Sequence, residues 1–360
     1  EQGITALGRN SGAGLALNPR TGEILALVSL PSFDNNKITP EMLSDSRKPL
    51  FNRVVSGLYS PGSTIKPLVA FAALVEGVVN PLEEIFSAGY IEIPNPYFPD
   101  KPSRFVDWRP QGWVNLYSAI ARSSNVYFYG LGGGLPANVQ PDGILRGANK
   151  MTGLGIWKLK EYWQKFGLDK TTGIDLPGEN SGFLPDPDEK EKRTGEIWRI
   201  GDTYNASIGQ GDLIVTPLEL LSYISGIADN GKINRPFIVK EILSEDGKTI
   251  RGTGQKVNFD YSGSLDKIKE IQKGMIDAVK KPYGTANLLS SLPVSVAAKT
   301  GTAQIEGNQK INALFVGYEP TDNPQIAVLV LVENAPEGIL SAVPIAKDVL
   351  NWYYYNRIKL

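Results

Sequence analysis

Apolar residues recur with two different periods along this chain, and the changes of period mark out its elements. Near the start, Gly14-Leu15-Ala16-Leu17 and Glu23-Ile24-Leu25-Ala26-Leu27-Val28-Ser29-Leu30 read as a strand pair across the turn cluster Asn18-Pro19-Arg20-Thr21-Gly22. Pro31 to Asn36 closes that unit. Over residues 63–77 the period becomes helical, with Ile65, Leu68, Val69, Ala72, Ala73 and Val75 on one stripe. Pro67 falls in the first turn, where a missing N–H costs little, and Gly77 is a stop signal. Leu116 to Ile120, then Val126, Phe128, Tyr129 and Leu131, predict a second apolar helix over 116–131, ended by Gly132-Gly133-Gly134. Residues 132–215 are rich in Gly, Pro and charge and read as loops around short helices such as 159–166. Thr216 as N-cap with Pro217 behind it predicts a helix over 216–230. Residues 233–261 read as β-hairpins turning at Glu245-Asp246-Gly247, and 264–280 as a further helix.

Toward the C-terminus the pattern returns to strands. Val294 to Gln304, Ala313 to Tyr318 and Gln325 to Glu333 are separated by turn signals at Glu306-Gly307-Asn308 and Asp322-Asn323-Pro324, as in an antiparallel meander. A helix over 341–355 follows. With two strands at the start, three at the end and mostly helix between, the expected fold is α/β in the α+β sense. One five-stranded antiparallel sheet is joined from both chain ends, flanked by helices, with a helical lobe inserted. Residues 1–11 read as a residual N-terminal segment or linker and 12–355 as one domain. Its sheet lobe takes about 12–62 and 233–355, and its helical lobe about 63–232.

Composition narrows the chemistry. The 360 residues carry a net charge of −1, so no basic excess is available to neutralise a phosphate backbone, which argues against nucleic acid as a partner. With no Cys there is no disulfide framework, and with neither Cys nor His a transition-metal site is not expected. The longest apolar run, Ile326 to Val332, is far shorter than the roughly 20 residues of a membrane-spanning helix. The opening Glu1-Gln2-Gly3 reads as the edge of an excised fragment whose anchoring or targeting segment is missing.

The absence of His and Cys also removes the usual base for a serine nucleophile and every thiol nucleophile. A serine with a lysine as proton acceptor remains. Pro61-Gly62-Ser63-Thr64-Ile65-Lys66-Pro67 offers one: positions i and i+3 share a helix face, so the amine of Lys66 can reach back toward Ser63. Alone the spacing says little, because Ser264-Leu265-Asp266-Lys267 repeats it at the start of what reads as a surface helix. Ser123-Ser124-Asn125 places two polar side chains where Ser123 could relay a proton and Asn125 could hold an amide; alone it reads equally as a polar patch. Lys299-Thr300-Gly301-Thr302 lies on a predicted strand after two alanines. Its glycine suits close approach of a ligand, its hydroxyls and amine suit a carboxylate, and Lys299 would be the cation that lowers the Lys66 pKa. Basic-Thr-Gly triplets are common, as Arg20-Thr21-Gly22 and Arg193-Thr194-Gly195 show. The order Ser-x-x-Lys, Ser-x-Asn, Lys-Thr-Gly is far more specific than any one of them.

With these motifs, and with Leu17 to Ala26, Asn52-Arg53, Thr172 to Glu179, Ile208-Gly209-Gln210-Gly211, Thr216-Pro217-Leu218 and Leu314 to Tyr318, the chain resembles the transpeptidase domain of class B penicillin-binding proteins from about residue 12 to 353. It looks most like the elongation type, the penicillin-binding protein 2 group. The resemblance implies the fold shared with serine β-lactamases and a D,D-transpeptidase that cross-links peptidoglycan stem peptides and is trapped by β-lactams. It implies Ser63 as the acylated nucleophile, Lys66 as general base, and Ser123 and Asn125 in proton transfer and orientation. Lys299, Thr300 and Thr302 would hold the terminal carboxylate, Gly301 would permit close approach, and the backbone N–H groups of Ser63 and Thr302 would form the oxyanion hole. It implies no cofactor, a bacterial inner-membrane location facing the periplasm or cell exterior, and a membrane glycosyltransferase of the shape, elongation, division and sporulation group as partner. The chain departs from the family at Asn312, where members often have His, and near Asp107-Trp108, where some have His or Cys, so no relative's zinc site carries over. A β-lactam sensor, a serine β-lactamase and a D,D-carboxypeptidase are the alternative readings.

Overall fold

The computed structural model describes residues 2–6, 11–95, 100–135, 145–146, 151–305, 310–335 and 341–359. The expected five-stranded antiparallel sheet is present, built from both ends of the chain. Its strands are β1 (Gly12–Leu17), β2 (Ile24–Leu30), β3 (Ala297–Ile305), β4 (Lys310–Glu319) and β5 (Ile326–Ala335), in the spatial order β3-β4-β5-β1-β2. Pairing Gly12 with both Val332 and Leu30 joins the two ends in one register. The turn expected at Glu306-Gly307-Asn308 lies outside the described residues.

Both faces of the sheet are covered, which explains why β4 and β5 are apolar almost without alternation. Leu15, Leu314, Val316, Leu329 and Leu331 face one core with Leu68, Val69 and Leu221. Phe315, Val328, Val330 and Val332 face a second with Val343, Ala346 and Leu350 of the C-terminal helix, and Ile4 from the helix Gln2–Ala6 joins them. The central helix of the first core is α1 (Lys66–Val75), in which every residue from Lys66 to Leu74 is buried. A helix that is apolar all round belongs inside a protein, and this one carries a lysine in with it.

The expected helix over 116–131 is two helices, α2 (Leu116–Arg122) and α3 (Asn125–Gly133). Ser123 breaks them apart at φ 59, in the left-handed region. Ser124 N bonds Ala119 O at 3.0 Å and Ser123 N bonds Ile120 O at 3.2 Å, a Schellman closure with serine where glycine is usual. Within 233–261 one local hairpin forms, between Glu241–Leu243 and Thr249–Gly252. Lys232–Asn234 pairs instead with Val257–Asp260 and encloses it.

Helix α4 (Pro217–Ala228) begins as its sequence predicts. Thr216 accepts from Glu219 N at 3.1 Å, and the Glu219 carboxylate accepts from Thr216 N at 2.7 Å and from Gly182 N at 2.8 Å. Burial raises the Glu219 carboxyl to about 7 in spite of these bonds. Thr216→Ala should lower stability by about 1 kcal/mol, read as a lower urea midpoint at unchanged slope. An unmoved midpoint would show that the cap contributes nothing.

Candidate active site

Ser63 occupies a 3-10 turn (Gly62–Ile65) that runs directly into α1, whose first residue is Lys66. The turn is fixed by backbone contact with two other segments. Gly62, at φ +52, donates its N–H to Gly209 O at 2.9 Å. A Cβ on Gly62 would lie 2.6 Å from Thr302 O, and one on Gly209 would lie 2.1 Å from Gly62 O. Gly301 faces the same turn, where a Cβ would meet Thr64 Cγ2 at 2.7 Å and Pro61 O at 3.1 Å. Gln210 donates to Thr302 O at 3.2 Å, and the Tyr223 hydroxyl bonds Thr64 O from α4. Gly62 therefore meets Thr302 with no room for a side chain between their backbones, which brings the turn of the half-buried Ser63 against the edge strand that carries the exposed Thr302.

The second sequence motif meets the first through Lys66. Its Nζ donates to Ser123 O at 2.8 Å and Asn125 Oδ1 at 2.7 Å, lies 3.4 Å from Ser123 Oγ, and sits 5.3 Å from the Phe128 ring centre. The left-handed turn at Ser123 creates this arrangement, because it aims both the carbonyl and the hydroxyl of one residue at the same amine. Asn125 is held by its own Nδ2, which donates to Val106 O at 3.2 Å. The third motif joins through Lys299, whose Nζ donates to Ser123 Oγ at 2.8 Å and Thr300 O at 2.9 Å. Thr300 bonds Thr285 across the edge at 2.8 Å.

The expected Ser63–Lys66 hydrogen bond is not among those of Lys66. The amine bonds across to Ser123 and Asn125 instead of back along its own helix. Of the residues singled out in the sequence, Lys66, Ser123, Asn125, Lys299 and Thr300 form one hydrogen-bonded cluster. Ser63, Gly301 and Thr302 adjoin it through backbone packing. The other Ser-x-x-Lys is unrelated to it: Lys267 pairs with Asp266 at 3.0 Å in the solvent-facing first turn of the helix Leu265–Lys280. No group of three His, Cys, Asp or Glu able to hold a metal ion occurs among the described residues.

Both lysines are fully buried. Burial pulls Lys66 down to about 7, while the Asp107 carboxylate pulls the other way. Burial, and then the charge of Lys66, hold Lys299 well below the usual lysine range. Two cations sharing one hydroxyl cannot both be charged cheaply; the charge of Lys66 is what lowers Lys299, whereas burial, and not Lys299 as the sequence suggested, lowers Lys66. A neutral amine has two N–H bonds and one lone pair. The two short partners of Lys66, a carbonyl and an amide oxygen, only accept, so they consume both N–H bonds and leave the lone pair for a hydroxyl proton. Any acylation that uses this amine as base should rise with pH through about 7, where Lys66 becomes neutral. A rate that stays flat from about pH 5 to about pH 9 would contradict it.

Asp107, Gln210 and Thr285 were not among the residues that sequence singled out chemically, although Gln210 lies in a segment noted for the family likeness and Asp107 in one noted as a departure from it. Their roles come from long-range packing, for which spacing carries no signal.

Residues 12–351 match the penicillin binding protein transpeptidase domain. The peptidoglycan D,D-transpeptidase MrdA of Acinetobacter baumannii is 34% identical over 97% of this chain and 51% of its own length. The protein of the same name from Escherichia coli is 32% identical over 93% of this chain and 53% of its own. The chain thus spans about half the length of the curated relatives it matches. Among solved structures, Pseudomonas aeruginosa PBP2 in complex with WCK 5153 superposes with a TM-score of 0.77 at 33% identity, covering 98% of this chain and 76% of that one. Helicobacter pylori PBP2, from its complex with MreC, gives 0.79 at 28% identity, covering 100% and 63%. A match that runs from the first strand of the sheet into its last helix shows the family: the chain belongs to the penicillin-binding protein transpeptidase domains.

Proposed function

We propose that this chain is the catalytic portion of an elongation-type peptidoglycan D,D-transpeptidase. Ser63 attacks the carbonyl carbon of the penultimate D-alanine of a stem peptide, and Lys66 takes the hydroxyl proton. The C–N bond to the terminal D-alanine breaks, and Ser123 passes a proton to the departing amine. An amine from a neighbouring stem peptide then attacks the ester, forms the cross-link and releases Ser63. The backbone N–H groups of Ser63 and Thr302 receive the oxyanion, and Asn125 orients the peptide. Thr300 and Thr302 contact the terminal carboxylate, with Gly301 allowing its approach. Lys299, wholly covered, holds Ser123 directly beside that carboxylate's site.

The observation that carries this reading is the pair of short acceptor contacts on a buried Lys66, which suits an amine that works uncharged. The relatives named peptidoglycan D,D-transpeptidase, and the superposition on Pseudomonas aeruginosa PBP2, support the substrate class. The division into a sheet lobe (12–62 and 233–355) and a helical lobe (63–232) fits a site formed where α1, the α2–α3 turn and β3 converge. No helix among the described residues is long and apolar enough to cross a membrane. Attachment to the bacterial inner membrane, with this domain facing outward, is part of the proposal. So is work alongside a membrane glycosyltransferase, a reading supported by a solved peptidoglycan synthase complex that the chain resembles at 29% identity and a TM-score of 0.75.

Turnover of a D-Ala-D-Ala thioester with an added acceptor amine tests the proposal. Transfer of the acyl group to the amine is expected. Hydrolysis alone would mean a β-lactamase-like or carboxypeptidase chemistry, and a single acylation without turnover would mean a sensor.

A further inference from the structure

One buried carboxylate beneath the site belongs to none of the three motifs. Asp107 follows the strand Ser103–Val106 and is 8% exposed. Its Oδ2 accepts from Ser124 Oγ at 2.8 Å, Ser87 Oγ at 3.2 Å and Val126 N at 3.3 Å, and its Oδ1 from Trp108 N at 2.8 Å. Its own N–H is held by Gly89 O at 2.8 Å. Ser87 and Ser124 are completely buried, so these bonds tie Asp107 to the strand Glu84–Ser87, to the left-handed turn at Ser123-Ser124 and to the Val126 N–H in the first turn of α3. Three buried donors on one oxygen fit a charged carboxylate, and a helix N-terminus favours that charge.

We propose that Asp107 is the positioning residue of this site, fixing the turn that presents Ser123 and supplying a counter-charge for the buried Lys66. The inference rests on the reading of Lys66 as the base for Ser63. The groups around it are few. Lys66 on α1 feels its charge, and the Tyr129 phenol on α3 is kept protonated by burial first and then by Asp107. Its neighbours Arg104 and Arg109 are engaged elsewhere, with Glu92 and on the Trp108 ring. Burial lowers the basicity of Lys66. The carboxylate opposes burial and so matches the amine to its task.

The test is the pH dependence of Ser63 acylation by a fluorescent penicillin. In the unaltered protein the rising limb is expected near pH 7. Asp107→Asn removes the charge and keeps an acceptor, so the limb should move to lower pH by roughly one unit while the plateau falls. Asp107→Glu should return the limb to its place. Ser124→Ala, which breaks one bond and keeps the charge, should lower the plateau and leave the limb in place. An Asp107→Asn limb that coincides with the unaltered one, at whatever plateau, overturns the proposal. If that variant does not fold, Asp107→Ser, also uncharged, is read by the same criteria. A protein that the penicillin never labels defeats the Lys66 reading itself, and this inference with it, which is a different outcome from an unmoved limb.

Discussion

Lys66→Met should lower the rate of β-lactam acylation by roughly a thousandfold, the scale of a lost general base, and leave the fold intact or more stable. The two halves of that result have one cause. The amine is completely buried beneath the sheet, in a helix whose every neighbouring position is apolar, and its desolvation opposes folding. Methionine fills similar volume without a charge to bury. The Ser123 carbonyl and the Asn125 amide oxygen would lose a donor, which offsets part of the gain. Acylation rates with a chromogenic cephalosporin, set beside thermal melts, check both halves. An acylation rate equal to that of the unaltered protein would remove Lys66 from the chemistry.

Gly209→Ala should be almost as damaging, although Gly209 lies in none of the three motifs. Its φ of +79 disfavours any side chain, and a Cβ there would lie 2.1 Å from Gly62 O and 2.7 Å from Gly62 N. The obstacle is backbone on both sides, so no rotamer change relieves it. Left-handed strain and forced displacement together should cost about 4 kcal/mol, a large part of a typical domain's stability. Relief would come by pushing Gly62 and Ser63 away from Gly209 O and Thr302, which breaks the Gly62–Gly209 hydrogen bond and opens the edge where the oxyanion would sit. The expected readouts are a large drop in urea midpoint and, in whatever fraction stays folded, acylation slowed out of proportion to the loss of stability. Normal acylation by a folded variant would mean that this backbone junction does not set the position of Ser63.

The sheet was legible because its signals are redundant: β5 is an apolar run bounded by turn residues, and β1 and β2 flank an Asn-Pro-Arg-Thr-Gly cluster. The same holds for α4, whose Thr-Pro-x-Glu start matches its observed cap. The three motifs were legible as a set because their order is specific even though each is weak. What could not be read was where they touch. Serine rarely takes φ near 59, so nothing local announced that 116–131 would break at Ser123, and the break is what turns the Ser123 carbonyl and hydroxyl toward Lys66. Helical spacing suggested a bond from Lys66 back to Ser63. The observed partners are 57 and 59 positions away, where spacing is silent. The pairing of Lys232–Asn234 with Val257–Asp260 escaped for the same reason, since a hairpin signal names only the nearest partner.

The central claim is that the hydroxyl of Ser63, and no other, forms the covalent bond, with a lysine amine as its base. Peptide mass spectrometry after incubation with a penicillin at about pH 8, above the Lys66 midpoint, tests it directly. The account predicts one adduct, on the peptide containing Ser63, that disappears in Ser63→Ala and forms far more slowly in Lys66→Met. An adduct on Ser123 or elsewhere, or one retained in Ser63→Ala, would contradict it.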